Sequence, residues 1–300
     1  MTKSNFGFFT IKAIHKKKKE QNKNIFELLN QIEICPLDIS VENNRYKNLS
    51  DEVFITIQEF VKGNNGYLLK LRKCKYKDIK GSFLGSGEKE YDVTEVLNNN
   101  FKRNDSVIVE ESFVKIFNND IMIMQIKRDS FSANQLKYYL EELLKEYRFE
   151  IFPIYQDTLF EEIENGNIKE IALNVGFSPR GSKFNNELYG GAAKVKLHFK
   201  KGRQANFLKF DFFKNIFKNR TMSNFGILDN GHIDSGKITM DGNRIIKLDT
   251  YELKEYKEFT NKQLMVEQIN SHLFFDSLFK KHSQFLKEYL LRDNRYKDNE

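Results

Sequence analysis

The stretch FVKIFNNDIMIMQIKRDSFSANQLKYYLEELLKEYRFEIFPIYQDTLFEEIENGNIKEIALNVGF, residues 113–177, carries the densest structural signal in the chain. It reads as a strand over 113–117, a tight Asn118-Asn119-Asp120 turn, and a wholly apolar run from Ile121 to Met124. A helix follows, then a strand over 149–154, a short helix near 159–163 and a strand over 168–177. The order after the turn, β-α-β-α-β, predicts a ferredoxin-like unit.

The first helix has three agreeing signals. Leu136, Tyr139, Leu140, Leu143, Leu144 and Tyr147 recur at the spacing of one helical stripe. Ser132 and Gln135 have capping-box spacing, and Phe131 and Leu136 stand at the staple positions. The 121–124 run is apolar on both faces, as expected of a central strand. Pro153 lacks an amide donor, so the 149–154 strand belongs at an edge or ends there. In 168–177, Ile171, Leu173, Val175 and Phe177 share a face opposite Ala172, Asn174 and Gly176.

Outward from this core, strands are expected over 6–14, 37–41, 53–61 and 67–76, with a helix over 25–32. Residues 80–89, rich in glycine, read as a loop without phosphate-loop spacing. The C-terminal third reads as a hairpin on a two-residue Asp241-Gly242 turn, then one long helix over 262–291. The expected fold is α+β. Its parts are a strand-rich region 1–105, the ferredoxin-like unit with a basic strand 106–205, and a hairpin-plus-helix region 206–300.

With 49 basic and 42 acidic residues among 300, the chain carries a formal +7. The charge is uneven: residues 181–220 hold ten Lys and Arg against only Glu187 and Asp211. Such asymmetry points to an anionic partner. In 194–200, Lys194, Lys196, His198 and Lys200 alternate with Val195, Leu197 and Phe199, so every outward residue is basic. Lys201 and Arg203 extend that surface, and Arg180 lies in the loop before it. Lys70, Arg72, Lys75 and Lys77 form a second basic face. Both faces suit phosphate-backbone contact with nucleic acid. Equally, lysines on an edge strand protect it from aggregation.

Catalytic signatures are sparse. The five histidines lack metal-helix spacing, and Cys35 and Cys74 have no partner motif, so neither a metal nor a cofactor is expected. His232 and Asp234, in a glycine-rich loop, are a minor acid-base pair. Glu111 (or Glu110) with Gln125 and Lys127 resembles the acid-plus-lysine arrangement of restriction-type nucleases, with Gln125 where an acid would bind Mg²⁺. The chain has no apolar run of membrane-spanning length and no basic-then-apolar leader over 1–9, so a cytoplasmic location is expected.

The segment NNDIMIMQIKRDSFSANQLKYYLEELLKEYRFEIFPIYQ, followed by IENGNIKEIALNV, resembles the middle of uncharacterised bacterial proteins associated with phage defence. The likeness covers roughly a quarter of the chain and rests on element order. It implies an antiviral context and transfers no catalytic residue. The expected function is an accessory defence protein binding nucleic acid. Its rivals are a metal-dependent nuclease and a subunit that binds a protein partner or a second copy of itself.

Overall fold

The computed structural model describes residues 2–17, 24–37, 44–48, 53–76, 82–84, 90–92, 106–127, 130–177, 194–202, 207–208 and 231–292. The chain forms two compact units, Met1–Pro153 with Lys254–Lys280, and Ile154–Leu253 with Lys281–Glu300. Among the described residues, no helix is long and apolar enough to cross a membrane.

The first unit is organised by β1 (Thr2–His15), whose Phe6 and Phe8 alternate with Phe9, Ile11 and Ala13 so that both faces are apolar. α1 (Ile25–Glu33) opens on Asn24, whose side chain accepts the Phe26 amide, and buries Ile25, Leu28, Leu29 and Ile32. The strands β2 (Lys47–Asn48), β3 (Val53–Gly63), β4 (Gly66–Tyr76), β5 (Ser82–Leu84), β6 (Glu90–Asp92), β7 (Ser106–Phe117) and β8 (Ile121–Ile126) follow. β5 falls within the stretch expected to be a loop and pairs with β6 just after it. α2 (Ala133–Leu143) has the complete Ser132–Gln135 capping box. It ends at Leu143, and Tyr147 begins β9 (Tyr147–Pro153) instead of closing the helical stripe.

With β14 (Lys254–Phe259), these strands other than β5 and β6 make one antiparallel sheet in the order β14-β1-β8-β7-β4-β3-β2, with β9 also on β1. β9 and β14 occupy successive parts of one edge of β1, and β8 takes the other. Among the described residues β9 has no second neighbour, and it stops at Pro153 as that residue's missing donor requires. Asp120 takes the left-handed backbone conformation in the β7–β8 turn, with φ 63°. α1 and α2 pack on one face of the sheet. α4 (Lys262–Ile269) precedes α5 (His272–Lys281), which lies on the other face, where Phe274 meets Phe6 at 5.1 Å and Phe279 stacks on Phe117 at 4.5 Å.

The second unit contains α3 (Asp157–Glu164), β10 (Ile168–Phe177), β11 (Lys194–Lys200), β12 (Gly231–Met240), β13 (Ile245–Lys247) and α6 (Ser283–Arg292). Its antiparallel sheet runs β11-β10-β12-β13. Ile171, Leu173, Val175, Ile238, Met240 and Ile246 form a core with Leu159, Phe160 and Ile163 of α3. Gly236 lies so close to Leu248 and Leu173 that a Cβ there would clash with both.

Three expectations change here. The β-α-β-α-β order exists, but its strands do not share a sheet. The long apolar β1 inserts between β8 and β9, and β10 joins the second sheet. The β12–β13 hairpin turns through three residues, Asp241–Asn243, with Gly242 and Asn243 at positive φ and the Met240 amide donating to the Arg244 carbonyl. The single C-terminal helix is three, α4, α5 and α6. Asn270 caps α4, and the Ser271 hydroxyl accepts the Leu273 amide as α5 begins. The strand expected over 37–41 lies almost wholly outside the described residues.

Candidate nucleic-acid interface

The second sheet has one apolar face over α3 and one polar face, a consequence of strict alternation along β10. Ile171, Leu173 and Val175 point inward, which puts Glu170, Ala172 and Asn174 on the outer side. β11 is the edge strand, and register sets Lys200 opposite Glu170, His198 opposite Ala172, Lys196 opposite Asn174 and Lys194 opposite Gly176. Lys196, His198 and Lys200 are exposed. Lys196, His198 and Lys200 therefore share one exposed face, and Lys201 follows just past β11, its amide donating to the Lys169 carbonyl at 3.2 Å.

Register extends the face across the sheet. Lys237 of β12 lies opposite Ala172 and, on its other side, opposite Lys247 of β13. One cross-sheet row is thus His198, Ala172, Lys237, Lys247. The neighbouring row is Lys200, Glu170, Thr239, Ile245. Sequence reasoning missed Lys237 and Lys247. Their alternation with Ile238 and Ile246 was visible, but only strand pairing places them beside β11.

Glu170 is the one carboxylate in these rows. It accepts a hydrogen bond from His198 Nε2 and lies 3.8 Å from Lys200. The hydrogen bond from His198 first, helped by the charges of Lys200 and Lys237, holds its pKa below the usual carboxylate range against an opposing burial effect. Among the described residues, no carboxylate lies within ion-pair distance of Lys196, Lys237 or Lys247.

The second expected basic face, on β4, is not a free cationic surface. Lys70 sits 3.1 Å from Glu59 and 3.8 Å from Glu111. Arg72, only 8% exposed, donates from Nε to Glu111 at 2.6 Å. Acidic residues on the adjacent strands β3 and β7 thus neutralise the cations that sequence alternation had turned to one side. Lys75 is placed by strand pairing, opposite Val53. Lys77, Arg180 and Arg203 lie outside the described residues.

The same network takes up the nuclease-like constellation. Lys127 pairs with the Glu110 carboxylate and donates to the Glu111 carbonyl at 2.6 Å, so Lys127 and Glu111 meet through backbone, not through the carboxylate. Gln125 is wholly buried and donates to the Ser4 hydroxyl at 2.8 Å. Among the described residues, no three His, Cys, Asp or Glu side chains converge as metal ligands. His232 and Asp234 fall on β12, not in a loop, with a bulge in the β10 pairing at Asp234. Burial pushes the Cys74 thiol up to about 12, which leaves it inert near neutral pH. In comparisons with known proteins, the chain matches no family model and no curated protein.

Proposed function

We propose that this chain binds the phosphate backbone of nucleic acid across the outer face of the β11-β10-β12-β13 sheet. The observation that carries the reading is the row from His198 through Lys237 to Lys247, which turns a basic edge strand into a basic sheet surface. Edge protection alone accounts for lysines on β11, but not for cations at matching positions on the two strands beyond its neighbour. Lysine ammonium groups act as point charges that neutralise phosphates and release counterions, giving affinity that depends on salt and little on sequence. In the antiviral setting implied by the central segment, such a surface would hold foreign nucleic acid whatever its sequence.

Replacing Lys196, Lys237 and Lys247 together by Gln tests the proposal. Anisotropy titrations should show weaker binding on every sequence. The slope of log K against log salt should flatten by up to about 2–3 units, as up to three phosphate contacts are lost. All three side chains are exposed, so the melting curve should barely move. Unchanged affinity and slope in the folded triple variant would remove the proposal's main support.

A further inference from the structure

Among the described residues of the outer face, one carboxylate sits in the row at the end of β11, with basic side chains around it. Glu170 lies directly across from Lys200 on one side and Thr239 on the other, with His198 and Lys237 at the diagonal positions. Directly opposed side chains on one sheet face start about 5 Å apart and diagonal ones about 7–8 Å, so all four reach the space above Glu170. His198 donates into it, and Lys200 stands 3.8 Å away. A carboxylate and a phosphate offer cations the same thing, negative oxygens that accept charge-assisted hydrogen bonds.

We infer that Glu170 is a built-in counterion occupying a phosphate position on this face, so that a nucleic-acid backbone engages His198 and Lys200 only by displacing the Glu170 carboxylate. This rests on the nucleic-acid reading above. Its consequence is selectivity for a polyanion over a free phosphate. A single phosphate competes against a carboxylate that is part of the same molecule and hence always present at high effective concentration. A phosphate chain brings further charges to Lys196, Lys237 and Lys247, and their gain offsets the displacement. The ion pair to be broken lies at an exposed surface, where such pairs are weak, so displacement is easy for a polyanion. Glu170 thus works as a repulsive element against the wrong ligand, a device by which binding proteins raise specificity.

The test uses the full chain, with Glu170→Gln as an isosteric variant and Glu170→Ala as a second that carries no amide. A homopolymer oligonucleotide and inorganic phosphate are the two probes. Both variants should bind the oligonucleotide more tightly than wild type at low salt. Their advantage should shrink about threefold between about 50 and about 200 mM salt, the signature of one added counterion-releasing contact. Inorganic phosphate should compete with the oligonucleotide for the variants at lower concentration than for wild type. Wild-type binding with no change in either variant, or with weaker binding in both, overturns the counterion role and leaves the nucleic-acid surface standing. Failure of all three proteins to retain the oligonucleotide at low salt overturns the surface itself and the counterion role with it.

Discussion

The Lys115 ammonium, on a side chain with no exposed surface, is paired with the Asp276 carboxylate of α5. The pair joins the C-terminal end of β7 to a helix 161 residues later, and Asn65 adds a 2.9 Å hydrogen bond to the same carboxylate. Burial lowers the Lys115 pKa and Asp276 opposes that shift, so the carboxylate keeps a buried cation tolerable. Asp276→Asn should therefore cost roughly 3 kcal/mol, the low end for orphaning a buried charge because Asp276 itself is partly exposed. The double change Lys115→Met with Asp276→Asn should recover much of that loss. Urea unfolding of the three proteins measures both effects.

His272 stands in the same neighbourhood, and both ring nitrogens are buried without a hydrogen-bond partner of normal geometry. Gly63 packs against the ring so tightly that a Cβ would collide with it. Burial first, then the Lys115 cation, lowers the His272 pKa from 6.5, and the Val61 carbonyl and Asp276 only partly oppose them. The unfolded chain then binds the proton more readily than the folded one. Stability from this group is complete above the unfolded value of 6.5 and declines as pH falls from there through the lower folded value. Denaturation midpoints should show this decline in wild type, and His272→Gln should flatten that part of the profile.

Leu140 is wholly buried between α2 and the first sheet. Leu140→Ala should destabilise by about 2–5 kcal/mol through lost transfer energy and the cavity left behind. Ser132→Ala, which removes the cap from the Gln135 amide, should cost about 1 kcal/mol. A chevron or equilibrium denaturation series on both variants checks the order.

Glu111→Ala separates the two basic faces. It leaves Arg72 nearly buried and unpaired, so stability should fall by about 1–3 kcal/mol. At a temperature where the variant remains folded, oligonucleotide affinity should match wild type, because the proposed contact face lies on the second sheet. A tightened oligonucleotide complex would bring β4 back as a contact surface, with Lys70 and Arg72 released from Glu111 to meet phosphate.

Local pattern carried much of this structure. The capping box, the α1 stripe, the β3–β4 pair and the alternation of β11 are all properties of neighbouring residues. Pairing between distant segments was not legible in the same way. Nothing in KEYKEF at 254–259 announces that it closes β1, 240 or more positions earlier, and β1 itself gave no sign that it would separate β8 from β9. Lys115, flanked by Val114 and Ile116, looks like an outward strand residue until both faces of the sheet prove covered. The candidate site shows the same division. The basic faces of β4 and β11 are alike in sequence, and only register reveals that Glu59 and Glu111 neutralise the first while Lys237 and Lys247 enlarge the second.

The first unit takes β14 and α5 from chain that follows the whole stretch 154–253. On a ribosome adding about 5–20 residues per second, that stretch imposes a wait of about 5–20 s between the completion of β9 and the arrival of β14, and α5 comes later still. Throughout it, one edge of β1 has no β14, Phe6 and Phe117 lack their aromatic cover, and Lys115 has no counter-charge. The nascent protein thus passes through an interval with an open sheet edge beside uncovered phenylalanines, the kind of surface that chaperones recognise and that crowded polysomes aggregate.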